Sequence, residues 1–170
     1  SNELLFMPPS MSSSNNKTLL IGCEDISQNN KELLELGYSI GNKLKENCEL
    51  NILNFKGETE PIILGILLSK YNFDKYQSGD KDVVEISFND SFEVDASKNK
   101  RDSIFWVRDL INTPAFDRSP EYFIKQVELL TSNKDINVEI HNKEWLEKNN
   151  FGGVLGVAQG SVREPYFLTG

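Results

Sequence analysis

The sequence predicts an α/β fold, in which helices layer on a parallel or mixed sheet, and three observations carry that expectation. Short apolar runs alternate with longer stretches whose apolar residues recur every three or four positions. The first such pair is TLLIG, Thr18 to Gly22, followed by a stripe at Leu33, Leu36, Gly37, Ile40 and Leu44. It reads as a buried strand and then an amphipathic helix packed on it. Finally, Cys23 and Cys48 are the only cysteines and show no C-x-x-C spacing, so a packed core, not a disulfide or zinc framework, must hold the fold.

The elements follow in order. Ser1 and Asn2 have the look of a cloning remnant, and PPSMSSSNN, Pro8 to Asn16, is polar and turn-forming, so the first strand is expected at Thr18. Gly37 and Gly41 lie one turn apart on the first helix, where missing side chains permit a close neighbour at a helix-propensity cost of about 1 kcal/mol each. LNILNF, Leu50 to Phe55, reads as the second strand. Glu60 and Pro61 open a second helix, since proline fits the first turn and a carboxylate there offsets the helix dipole. The IILGILLSKY that follows is apolar nearly all round, which predicts burial on most sides. DVVEISF, Asp82 to Phe88, completes this region as a strand.

Lys98, Lys100 and Arg101 in a first turn would oppose the helix dipole, which places the next helix start near Asp102. Ile104, Val107, Leu110 and Ile111 form its apolar face, with Phe105 and Trp106 widening it. Pro114 disfavours helical geometry at Thr113, so that helix ends at about Asn112. Ser119, Pro120 and Glu121 then restart the chain as hydroxyl cap, preset φ and favourable charge. Phe123, Val127 and Leu130 are expected to face inward. INVEIH alternates as a strand with Ile136, Val138 and Ile140 on one face, and Glu144 to Lys148 reads as a short helix closed by a left-handed Gly152 or Gly153. GVLGVAQG and PYFLTG read as two further strands. Two helices and about three strands after Pro114 are too few to cover both faces of a sheet, which predicts exposed apolar edges and a truncated second domain.

Composition narrows function. Acidic residues outnumber basic ones, 26 to 18, and the formal net charge of −8 opposes a nucleic-acid backbone. No apolar run reaches the length of about 20 residues that a membrane span needs, and no secretory pattern opens the chain. A cytoplasmic protein with two buried thiols is the expectation.

The junction carries a resemblance. WVRDLINTPAFDRSPEYF is similar to the segment joining the two domains of the leucyl (cytosol) aminopeptidase family, in which an R-D-L-x-N-T-P-A core precedes a capped S/T-P-E helix. Upstream, LLSKYNFDKYQS resembles the family's Y-x-F-x-x-Y run. Downstream, GVAQGSVREPYFL resembles its V-G-Q-G-S-x-x-x-P strand and turn, with Ala158 in place of the usual glycine. The likeness is strong from about Glu60, and rests on the order of elements alone before Lys56. The resemblance implies a macro-like N-terminal α/β domain over 1–96, a linker helix over 97–113 and the opening of a two-metal peptidase domain over 114–170. It implies two divalent ions, Zn, Mn or Mg, in the parent enzyme, with ligands outside this chain, together with peptide substrates and a hexameric assembly.

The residues themselves offer little chemistry. His141 is the only histidine, so a two-histidine zinc motif is excluded and a satisfied residue at a strand end is the simpler account. Arg108 and Asp109 read as ion-pairing or hydrogen-bonding residues that set domain geometry, and Asp117 and Glu121 as loop and helix-start residues. Gly160 and Ser161 in AQGSV fit a tight turn better than a nucleophile elbow, which needs G-x-S-x-G and a base. A macro-like domain raises nucleotide binding, but Glu24 and Asp25 after TLLIG would repel phosphate. No catalytic, cofactor-binding or metal-ligating residue is therefore assigned. The sequence points to the non-catalytic N-terminal part of a metallo-aminopeptidase, inactive alone. The alternatives are a non-enzymatic binding or oligomer-assembly module and, more remotely, a macro-type nucleotide binder.

Overall fold

A computed structural model describes residues 3–7, 18–22, 29–52, 55, 57–78, 84–89, 93–132 and 134–170. The loop expected over Pro8 to Asn16, Cys23 with Glu24 and Asp25, and parts of the expected second and third strands lie outside these residues. The chain divides into two compact units, Ser1–Asp109 and Leu110–Gly170.

In the first unit, β1 (Glu3–Met7) pairs antiparallel with β2 (Thr18–Gly22), Glu3 opposite Gly22 and Met7 opposite Thr18. β2 is the strand the sequence indicated. β1 was not expected, because its five residues run straight into the turn-forming stretch. Helix α1 (Asn30–Lys43) begins at Asn29, whose side chain accepts a hydrogen bond from the Lys31 amide, and Glu32 and Lys43 complement the dipole at its two ends. Its inward face is Leu33, Leu36, Gly37, Ile40 and Gly41, matching the predicted stripe except for Leu44, which is its C-cap.

Helix α2 (Glu60–Leu68) buries seven of its nine residues, as its all-round apolarity requires. It packs on α1 at backbone distance. A Cβ at Gly37 would collide with the Ile62 carbonyl, and one at Gly65 with the carbonyl of Leu34. β3 (Cys48–Leu50) and β4 (Ile86–Phe88) run parallel, with Cys48 opposite Ile86 and Leu50 opposite Phe88. The expected Leu50–Phe55 strand is thus displaced: β3 ends at Leu50. Leu33, Leu36, Ile40, Ile62 and Ile66 form the core, with Leu50, Ile86 and Phe88 against it. Each fully buried aliphatic side chain contributes about 1.5–3 kcal/mol.

Helix α3 (Asp95–Asn112) starts seven residues before the expected Asp102. Asp95 supplies the acidic first turn, and each cation that argued for a later start has a carboxylate: Asp95 for Lys98, Glu60 for Lys100 and Asp102 for Arg101. The helix stops at Asn112 as Pro114 dictates. Its expected apolar face is corrected in part, since Val107 and Ile111 are exposed and Ser97 is the buried residue.

In the second unit, α4 (Pro120–Thr131) starts at the cap the sequence marked, the Ser119 hydroxyl accepting from the Tyr122 amide at 3.1 Å. Phe123 and Leu130, expected inward, are exposed, and α4 buries no residue. β5 (Glu139–His141) is shorter than INVEIH and pairs antiparallel with β6 (Phe167–Thr169), His141 opposite Phe167. Ile136 is exposed and outside the strand. Helix α5 (Lys143–Lys148) is capped by Asn142, and Asn150, at φ 60°, takes the left-handed turn assigned to Gly152 or Gly153. Those glycines instead open α6 (Gly152–Ala158), so GVLGVAQG is a helix and not a strand. Among the described residues the strands form three two-stranded sheets.

Candidate functional site

Asn112 and Pro114 flank Thr113, which is buried at 2% exposure where α3 gives way to the turn before α4. On either side of this turn, a different set of contacts holds each unit's share of the junction segment. In the first unit, Tyr71 lies just beyond α2 and meets three residues of α3. Its ring tilts against Phe105 at 5.0 Å, the Arg108 guanidinium sits 5.1 Å from its centroid, and its hydroxyl donates to Asp109 Oδ1 at 2.9 Å. The sequence stretches YNFDKY and WVRDL therefore meet through one aromatic side chain. A guanidinium over a ring and a hydroxyl on a carboxylate fix orientation and supply no reactive group. Arg108 and Asp109 anchor α3 to Tyr71 within the first unit, Asp109 by a hydrogen bond and Arg108 by a cation–ring contact.

In the second unit, Arg163 of GSVREP reaches back to the junction turn. Its Nη2 donates to the Phe116 carbonyl at 2.7 Å and its guanidinium lies 6.0 Å from the Phe116 ring. Arg118 Nη1 donates to the Leu110 carbonyl at 2.9 Å and so satisfies the C-terminal end of α3. Glu121 sits at the N-terminus of α4, and its carboxyl is held below the ordinary range first by the Ser119 hydroxyl, then by its own amide and by Arg163. Asp117 occupies the turn, its carbonyl accepting from the Ser119 amide. Ser161 Oγ accepts from the Arg163 amide at 3.0 Å, so Gly160 and Ser161 form a turn.

His141 is packed among aromatics. Its ring stacks on Trp145 with centroids 3.9 Å apart, Phe167 and Phe151 complete the cluster, and Nε2 lies 3.1 Å from Thr169 Oγ1 and 3.7 Å from Glu139. This is a satisfied structural histidine that ties β5 to β6.

Two divalent ions need several converging carboxylates. Among the described residues no three His, Cys, Asp or Glu side chains gather, so these residues do not fit a metal pair. Among the described residues no helix is long and apolar enough to cross a membrane.

The first unit also has a feature the sequence did not reveal. A cleft of about 640 Å³ opens at the leading ends of β3 and β4, lined by Asn47, Cys48, Glu85 and Ile86 below and by Lys70, Arg101 and Phe105 above. Lys70 Nζ donates to the carbonyls of Gly41 at 2.7 Å and Leu44 at 2.6 Å, closing the last turn of α1. Burial lowers its pKa from the ordinary lysine value, Lys45 adds to the effect, and Cys48 opposes it. Residues so far apart in sequence give no local signal of this arrangement.

Residues 105–169 match the model of the cytosol aminopeptidase family, catalytic domain. A probable cytosol aminopeptidase of Treponema denticola is 29% identical over 162 residues, which cover 89% of this chain and 32% of the relative. The cytosol aminopeptidase of Coxiella burnetii superposes with a TM-score of 0.74 at 22% identity, over 98% of this chain and 35% of that one. The bottromycin maturation enzyme BotP, in its complex with Mn, gives 0.75 at 14% identity, over 98% and 38%. These structural likenesses show a shared α/β fold. The chain thus spans about a third of the length of the relatives that it matches along most of its sequence. With the junction motif inside the matched segment, the relatives named for the same enzyme and the fold in common, the chain is similar to the cytosol aminopeptidases, and residues 105–169 match that family's catalytic-domain model.

Proposed function

We propose that this chain is the non-catalytic N-terminal part of a cytoplasmic two-metal leucyl aminopeptidase that removes N-terminal residues from peptides. The observation that carries this reading is the match over residues 105–169 to the family's catalytic domain, which begins on α3 and takes in the junction turn. In this reading, residues 1–96 form a macro-like domain, 97–113 a linker helix and 114–170 the opening of the peptidase domain. Zn, Mn or Mg serves the parent enzyme, a hexamer, and the ligands come from segments other than the described residues. Support for a metal-dependent parent comes from the solved relative in complex with Mn.

What this chain supplies is position. Tyr71 clamps α3 through Phe105, Arg108 and Asp109, and Arg163 holds the turn that follows. The purified chain is expected to leave a leucine anilide intact with Mn²⁺ or Zn²⁺ added, whereas the parent hydrolyses it in a metal-dependent way. Turnover by the chain alone would overturn the reading, as would a parent inactive with both metals on leucine-terminated peptides.

A further inference from the structure

The cleft at the leading ends of β3 and β4 has the size of a small-molecule site, since such pockets run to roughly 300–1,000 Å³. Its wall is mixed in a particular way. Leu67, Ile86 and Phe105 are apolar, and Lys70 and Arg101 bring two cations into a chain whose net charge is −8.

Among the described residues both cations keep donors in reserve. An ammonium has three N–H groups and Lys70 commits two directions to the Gly41 and Leu44 carbonyls. A guanidinium has five, and Arg101 engages Asp102 through Nε and Nη2, leaving Nη1. Lys45 adds to the positive field felt at Lys70, and burial makes that charge costly in the absence of a counter-ion. Glu85 is the opposing group in the wall, but it is exposed and its backbone amide is committed to Asn47 Oδ1 at 2.9 Å.

We propose that this cleft binds a small organic anion, an apolar body bearing one carboxylate or phosphate, whose head Lys70 and Arg101 hold and whose body lies on Leu67, Ile86 and Phe105. The site is at the amino ends of the parallel strands, opposite to the carboxyl ends where open α/β sheets place nucleotides, and among the described residues its wall carries no glycine. A dinucleotide is therefore the wrong shape of ligand. This inference stands independently of the aminopeptidase reading.

The test is a titration of the intact chain, followed by amide NMR shifts, with 3-phenylpropanoate and phenyl phosphate as the carboxylate and phosphate probes. The neutral 3-phenylpropanamide is the control. Shifts that saturate below about 10 mM and map to Asn47, Ser87 and Phe105 are expected for at least one anion, with the amide bound about tenfold more weakly. Arg101→Gln is expected to weaken the anion about tenfold, with far-ultraviolet dichroism unchanged, and Arg101→Lys to restore part of the loss. The stronger of the two anions tells which head group the cleft suits. Absence of saturable shifts, equal binding of the amide, or an Arg101→Gln variant that binds as the unmodified chain does would each overturn the proposal.

Discussion

Ser97 is wholly buried in α3 and its hydroxyl has no hydrogen-bond partner among the described residues. A buried hydroxyl without a partner retains its desolvation cost, so Ser97→Ala is expected to leave stability unchanged or raise it by up to about 1 kcal/mol. Urea unfolding followed by circular dichroism measures this, and a loss of more than that amount would show that the hydroxyl is satisfied. Glu121 gives the opposite case, a polar group that is held. Its pKa is lowered from 4.5, chiefly by the Ser119 hydroxyl. A carboxyl with a depressed folded pKa contributes stability above its unfolded value, and that contribution fades as pH falls through the lower folded value. The advantage of the unmodified chain over Glu121→Gln should therefore be present at neutral pH and shrink below about pH 4.5, as thermal melts across that range would reveal. An advantage that grew in acid would contradict the sign. Ser119 and Glu121 were legible in the sequence because capping is local chemistry. Ser97 was not, since nothing in its neighbours marks a serine for burial.

Two helices depend on the absence of side chains at their contact. Adding a branched side chain at Gly37 drives it into the Ile62 carbonyl, which is backbone and cannot step aside. Gly37→Val should cost about 3 kcal/mol or more, with a lowered urea midpoint or loss of expression as the readout. The helix pair also leans on Lys70. Replacing it with Met keeps the aliphatic stem and deletes the donors to Gly41 and Leu44, a loss of about 1–3 kcal/mol that Lys70→Arg should partly recover. α1 and α2 could be read from spacing because a strong apolar stripe and an all-round apolar run admit few other structures. α6 could not. GVLGVAQG is short, apolar and free of polar alternation, and such a run suits a strand or a helix equally until its packing is known. The start of α3 was misjudged for a different reason: the dipole argument weighed Lys98, Lys100 and Arg101 but not their carboxylate partners, of which Glu60 is 40 residues from Lys100. The cleft was invisible on the same ground, since its wall draws on β3, β4, α3 and the residues around the end of α2.

Each unit holds one tryptophan, Trp106 in the first and Trp145 in the second, so fluorescence can follow them separately. The first unit has a cluster of buried aliphatics, whereas in the second Leu146 is the buried hydrophobic residue and Phe116, Val157 and Val162 are more than four-fifths exposed. Unfolding should accordingly be broader than one two-state step. A Trp106→Phe variant, which reports on Trp145, is expected to show its midpoint at lower urea than a Trp145→Phe variant reporting on Trp106. Coincident midpoints would mean that the chain unfolds as one body. The lysine that completes α1 has one last consequence, for the order in which the chain acquires structure. Lys70 leaves the ribosome 26 residues after Leu44 and 29 after Gly41. Until the second helix has been made and has swung its amine into place, the final turn of the nascent first helix rests on the Leu44 amide at the Gly41 carbonyl, without the charge that later joins it.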